Sequence, residues 1–247
     1  MSVPLWVIEA AEHFWKLAGA EEPFPRELRC AVGFAVPVSV WYLPRLRTAE
    51  IDDWARRYGL PCRLSLRDRP LRACTVAHDD RAVVLIDSTD DPDEQRFSLA
   101  HELGHFLRDY DEPRERARQV LGRQAVEVLD GRRLATFDER VGGVLRGVEL
   151  EAYVHLMERT PDGHAASAAI STAEHQADLL AYELLAPHTA VQKLLSQFPA
   201  GEWRFHGARL LQEAFGFPPA PAARYAALLA PAPPAPGGLV TRLRGGV

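Results

Sequence analysis

The chain is poor in cysteine. Cys30, Cys62 and Cys74 are the only three, widely spaced and without a C-x-x-C pair. Three thiols cannot all be bridged within one chain, and no spacing supports a zinc–cysteine site, so the pattern suits a reducing, intracellular setting. No stretch approaches the ~20 apolar residues of a membrane span. The opening MSVPLWVIEAAEHFWK has no basic region followed by an apolar run, the form of a signal peptide. These absences point to a cytoplasmic protein with no membrane partner. Positive charge is not in excess either. A formal net charge of -5 argues against a general nucleic-acid binder, although arginines gather between Arg45 and Arg72.

What is present begins with size. A chain of 247 residues, 47% of them hydrophobic, can bury a sizeable core. The pattern predicts one α+β domain over residues 1–230, with an insertion at about 112–170 and a Pro/Gly/Ala-rich tail, 231–247, that cannot build a packed core.

The stretch Phe97–Tyr110, FSLAHELGHFLRDY, organises the rest. Phe97, Ala100, Leu103 and Leu107 form one apolar line of a helix, widened by Leu99 and Phe106. Within it stands His101-Glu102-x-x-His105. A spacing of four puts both imidazoles on one face, where they can share a metal ion, with Glu102 beside them as a general base. The competing reading is a pair of core histidines satisfied by backbone and carboxylates, because a buried imidazole needs partners.

A third ligand is found far downstream, in STAEHQADLLAYELLAP, another helix closed by Pro187. Glu174 can complete a His2Glu zinc site. Asp178, one turn on, can accept the outward N–H of a ligand histidine. The rival account needs no metal: Ser171 and Glu174 also form a capping box. His175 is a weaker candidate ligand, and His155, His164 and His206 stay open. Tyr182 is a candidate oxyanion donor.

The remaining chain reads as helices and short strands. Helices are predicted at Leu5–Leu17 before Gly19, at Pro25–Phe34, from a Thr48 cap to Gly59, and from Asp91 and Pro92 through His105, with Asp109 and Asp111 marking the end of the last. Later ones are predicted at Arg114–Val128, Thr136–Arg146, Leu150–Glu158, Val191–Phe198, Trp203–Phe215 and Ala220–Ala230, with Phe205, Leu210 and Leu211 as core. Val38–Leu43, Cys62–Leu66, Leu71–Ala77 and Ala82–Ile86 read as strands, the last pair joined by a turn at His78–Arg81. A small antiparallel or mixed sheet therefore leads into the His101–His105 helix, and its edge should accept an extended peptide.

The combination AHELGHFL and STAEHQADLLAYELLAP, with the lead-in DEQRFSLAHELGHFLRDY, resembles the ImmA/IrrE family of bacterial zinc metallopeptidases. That resemblance covers roughly Ile51–Asp111 and Ser171–Pro187. It implies a zincin-like fold and one zinc ion. His101, His105 and Glu174 would be ligands, Glu102 the base and Asp178 the carboxylate behind a ligand. It implies a cytoplasmic protein substrate, a helix-turn-helix repressor, cut at few sites. The interval between the ligand helices is longer than is usual for the family, and the insertion could serve as a lid or docking element. The alternative is a non-enzymatic zinc-containing module that sequesters a regulatory partner. Direct DNA binding through Arg45–Arg72 is the weakest option, since no recognition motif accompanies those arginines.

Overall fold

The computed structural model describes residues 3–19, 23–58, 68–78, 80–130, 132–136 and 168–231. Its fold is α+β: a three-stranded mixed sheet among helices. Helix α1 spans Leu5–Ala18 and α2 spans Leu28–Ala35; strand β1 is Val38–Leu43. Helix α3 covers Thr48–Arg57, and β2, Ala73–His78, turns into β3, Arg81–Asp87. Helix α4, Pro92–His105, continues through a π-helical turn, Phe106–Asp111, into α5, Glu112–Leu121. After α6, Gln124–Leu129, come α7, Ala168–Leu185, and α8, His188–Leu195. Helices α9, Trp203–Phe215, and α10, Pro219–Leu229, complete the described chain.

The sheet order is β1-β3-β2, with β1 parallel and β2 antiparallel to β3. Alternation along β3 serves two cores at once. Val84 and Ile86 face the main core with Val38, Phe97, Leu103 and Leu180. Leu85, paired with Cys74, faces a second cluster built on Ile51 and Trp54 of α3. A strand buried on both faces reads as a continuous apolar run, which is why Ala82–Ile86 has no polar alternation. On the main-core side the sheet lies against α4, and α4 in turn packs along α7.

Several boundaries depart from the sequence reading. Pro25 precedes α2, which starts at Leu28 with Glu27 accepting from the Arg29 N–H. Thr48 is the first helical residue of α3; Glu50 accepts from the Arg47 N–H, while the Thr48 hydroxyl accepts from the Arg69 N–H. The single helix predicted over Arg114–Val128 is broken at Gly122, whose φ of 90° no helix allows. Phe205, expected in the core, is 81% exposed. The buried line of α9 runs through Gly207, Leu211 and Phe215, because α10 approaches at Gly207. The predicted strand Cys62–Leu66, the end of α3 at Gly59, the helix Leu150–Glu158, the tail beyond 231, His155 and His164 lie outside the described residues, as does nearly all of the predicted helix Thr136–Arg146.

Candidate metal centre

Helix α4 supplies His101, Glu102 and His105, and α7 supplies Glu174 and Asp178. The two helices can approach closely because Gly104 faces Ala177. A Cβ built on Gly104 would lie 2.9 Å from the Ala177 Cα. That near contact sits one residue from His105 and three from Glu174. It brings ligand-type atoms of His101, His105 and Glu174 within 4.8 Å of one another, a group that could hold a metal ion.

The polar contacts orient this group. His101 Nδ1 lies 3.0 Å from Asp178 Oδ1, and His105 Nδ1 lies 2.8 Å from Asp109 Oδ2. With both imidazoles neutral and each Nδ1–H donated to a carboxylate, the Nε2 atoms are left as bare acceptors. They face each other at 3.2 Å. Glu174 adds its oxygens at 3.7 Å from His101 Nε2 and 3.6 Å from His105 Nε2. Acceptors converging in this way call for a cation between them. Two nitrogens held tetrahedrally at about 2.0–2.1 Å from zinc stand roughly 3.3 Å apart, so the donor set fits that ion in both type and spacing. Burial opposes charge on His105, yet the carboxylates of Asp109 and Glu174, with Glu102 nearby, push its pKa up to about 9. The electrostatics thus favour positive charge at this point.

Glu102 is buried, and the Thr75 hydroxyl donates to its Oε2 at 2.7 Å. Strand β2 therefore fixes the carboxylate. A cleft of about 710 Å³ opens over it, lined by His101, Glu102, Glu174 and Asp178 from α4 and α7, by Arg69–Ala73 leading into β2, and by Arg224 of α10.

All five residues singled out from the sequence are brought together. The capping-box account of Glu174 does not hold: α7 is already helical from Ala168, and the Thr172 hydroxyl bonds back to Ala168 O inside the helix. His175 is exposed on another face and takes no part. His206 of α9 stacks on Phe198 and meets Glu202, which precedes that helix, away from the cleft. Tyr182 is buried in a ring stack against Tyr225, its hydroxyl accepting from Arg224 Nε, so it does not line the cleft as an oxyanion donor would. Burial, with the charge of Asp178, pushes its pKa to about 12.

Asp109 was missed. It lies four residues after His105, a spacing that could have revealed it, but Asp109 and Asp111 read as the end of the helix. Instead the chain widens into a π turn, a form often found at functional sites. Arg108 steadies that turn by pairing with Asp109 Oδ1 at 3.2 Å and donating to Ala173 O of α7 at 3.3 Å.

Residues 49–128 match the profile of Peptidase_M78, described as the IrrE N-terminal-like domain. Over that segment the chain is similar to the IrrE N-terminal-like peptidase domain. The matched segment runs from α3 into α6 and carries His101, Glu102, His105 and Asp109, whereas Glu174, Asp178 and Arg224 lie beyond it. No curated protein and no solved structure matches the chain significantly. Among the described residues no helix is long and apolar enough to cross a membrane.

Proposed function

We propose that the chain is a zinc-dependent endopeptidase, with His101, His105 and Glu174 as the ligands and Glu102 as the base. The observation that carries this is the convergence of three ligand-type atoms within 4.8 Å, beside a fixed carboxylate and at the floor of an open cleft. When bound, zinc lowers the pKa of a coordinated water and polarises a carbonyl. The chain does the rest. Glu102, oriented by Thr75, accepts a proton from the attacking water and returns it to the leaving amine. Asp178 and Asp109 hold the two imidazoles with their Nε2 atoms turned inward. The edge of β2, adjoining the cleft, offers an extended peptide its backbone hydrogen bonds.

The substrate belongs to the same proposal. Resemblance to the ImmA/IrrE family supports a cytoplasmic regulatory protein, a helix-turn-helix repressor, cut at few positions. The test is to incubate zinc-loaded protein with repressors encoded nearby and to follow fragments by intact mass, with Glu102→Gln as control. Discrete fragments that disappear in Glu102→Gln are expected. Cleavage that survives the substitution refutes the assigned base. Full zinc occupancy in Glu174→Ala, measured after zinc is added, removes Glu174 from the ligand set.

A further inference from the structure

Arg224 stands out among the cleft residues because nothing in the chemistry above uses it. It projects from α10, outside the family-matched segment, and lines the cleft shared by His101, Glu102 and Glu174. Two contacts orient its guanidinium. Nε donates to the Tyr182 hydroxyl at 3.2 Å, and Nη2 lies 3.5 Å from Asp178 Oδ2. Asp178 gives its other oxygen to His101 Nδ1, so the guanidinium sits one carboxylate away from a candidate metal ligand. Tyr182 is itself fixed by its stack on Tyr225, with ring centroids 4.7 Å apart.

An arginine that only stapled α10 to α7 would be buried with its donors matched. This side chain is 53% exposed, and its carboxylate contact is long and shared with an imidazole. Of its five N–H groups, several have no acceptor among the described residues. Arg69 and Arg72 line the same cleft beside four carboxylates, each already engaged: Glu94 with Arg72, Glu102 with the Thr75 hydroxyl, Asp178 with His101, and Glu174 with the two imidazoles. A planar, pre-oriented guanidinium with open N–H groups matches a carboxylate better than it matches any neutral group.

We propose that Arg224 is a specificity-determining residue, and that it takes an acidic side chain of the bound peptide close to the bond to be cut. This rests on the peptidase reading, and the experiment separates the two. Zinc-loaded Glu102→Gln protein is titrated with short fluorescein-labelled peptides of one neutral sequence. A single Asp is moved along that sequence, with Asn and Lys peptides as counterparts, and anisotropy is the readout. One Asp position is expected to bind about tenfold or more tighter than its Asn counterpart. The preference should vanish in Glu102→Gln/Arg224→Met, return in part in Glu102→Gln/Arg224→Lys, and turn toward the Lys peptide in Glu102→Gln/Arg224→Glu. Zinc affinity and melting temperature, measured on each variant, show whether the site itself is intact. Equal binding of Asp, Asn and Lys peptides, no binding of any of them, or a preference that survives Arg224→Met in an intact site overturns the proposal. An Arg224-dependent Asp preference without hydrolysis by the Glu102-intact protein refutes the peptidase reading alone. Hydrolysis without the preference refutes the proposal alone.

Discussion

Replacing Gly104 by alanine tests whether the α4–α7 contact builds the site. The added Cβ would meet Ala177 Cα at 2.9 Å, its carbonyl oxygen at 3.0 Å and its Cβ at 3.3 Å. Ordinary carbon contacts begin near 3.5 Å, so the helices must separate or slide by roughly 0.6 Å. Two of the three atoms met are backbone, and rotation of a side chain cannot relieve them. Overpacking of this kind costs about 1–3 kcal/mol. Against it stands the helix propensity of alanine over glycine, which favours the variant by about 1 kcal/mol. The expected net loss is therefore about 0–2 kcal/mol, read by urea denaturation of the metal-free protein. Gly33→Ala on α2 isolates the propensity contribution, because nothing lies within 4 Å of its added Cβ; that variant should gain stability. The second readout is zinc affinity by chelator competition. Metal sites tolerate about 0.2 Å in ligand distance, and the wedge stands between His105 and Glu174, so affinity should fall about tenfold or more. If Gly104→Ala gains as much stability as Gly33→Ala and binds zinc like the wild type, close approach at this point does not set the ligand geometry.

Two further outcomes follow from the hydrogen bonds. Asp109→Asn should weaken zinc binding about 10–100-fold, because His105 Nδ1 loses its carboxylate; unchanged affinity in chelator competition would mean that the π turn serves packing alone. Asp87 accepts from the N–H groups of Arg45, Leu46 and Thr89 and from the Thr89 hydroxyl, tying the segment before α3 to the end of β3. Asp87→Ala should therefore cost about 2–4 kcal/mol by urea denaturation at neutral pH. Burial alone would raise the Asp87 pKa, but these hydrogen bonds outweigh it and hold the carboxyl below its usual value. Its contribution is then complete above about pH 4, the range of a free carboxyl, and is lost as pH falls through the lowered folded value. The gap between wild type and variant should close over that range, and a gap that persists at lower pH would refute the assignment.

What could be read from the sequence follows from how local each signal is. His101 and His105 share a helix, and so do Glu174 and Asp178; a spacing of four is sufficient to place each pair on one face. Strand β3 was legible because its residues are apolar without a break. Its parallel pairing with β1 was not, since α3 and β2 intervene along the chain and no local pattern encodes that register. Asp109 carried the right spacing but also the composition of a helix end, and the helix-end reading won. Phe205 was misplaced because a glycine occupies the true core line of α9, where Ala226 needs the space. Arg224 and Gly104 gave no signal. Each matters only through a neighbour that is remote in sequence.

The same distinction explains how the long interval between His105 and Glu174 can leave the site intact. The entropic cost of closing a loop rises only logarithmically with its length, about 0.6 kcal/mol for each doubling. Once α4 and α7 pack, their geometry depends on the residues in contact and not on the length of chain joining them. The described start of that interval is anchored at the β2–β3 turn. Arg114 of α5 is buried, pairs with Asp80 in the β2–β3 turn at 2.7 Å and with Asp130 at 2.6 Å, and lies over the Tyr110 ring. Tyr110 in turn accepts from the Asp80 N–H. These contacts hold α5 and α6 against the sheet end opposite the Arg69–Ala73 rim of the cleft. A chain segment rooted there can change in length or sequence without moving His101, His105 or Glu174, while Gly104 and Asp109, which touch the site directly, cannot.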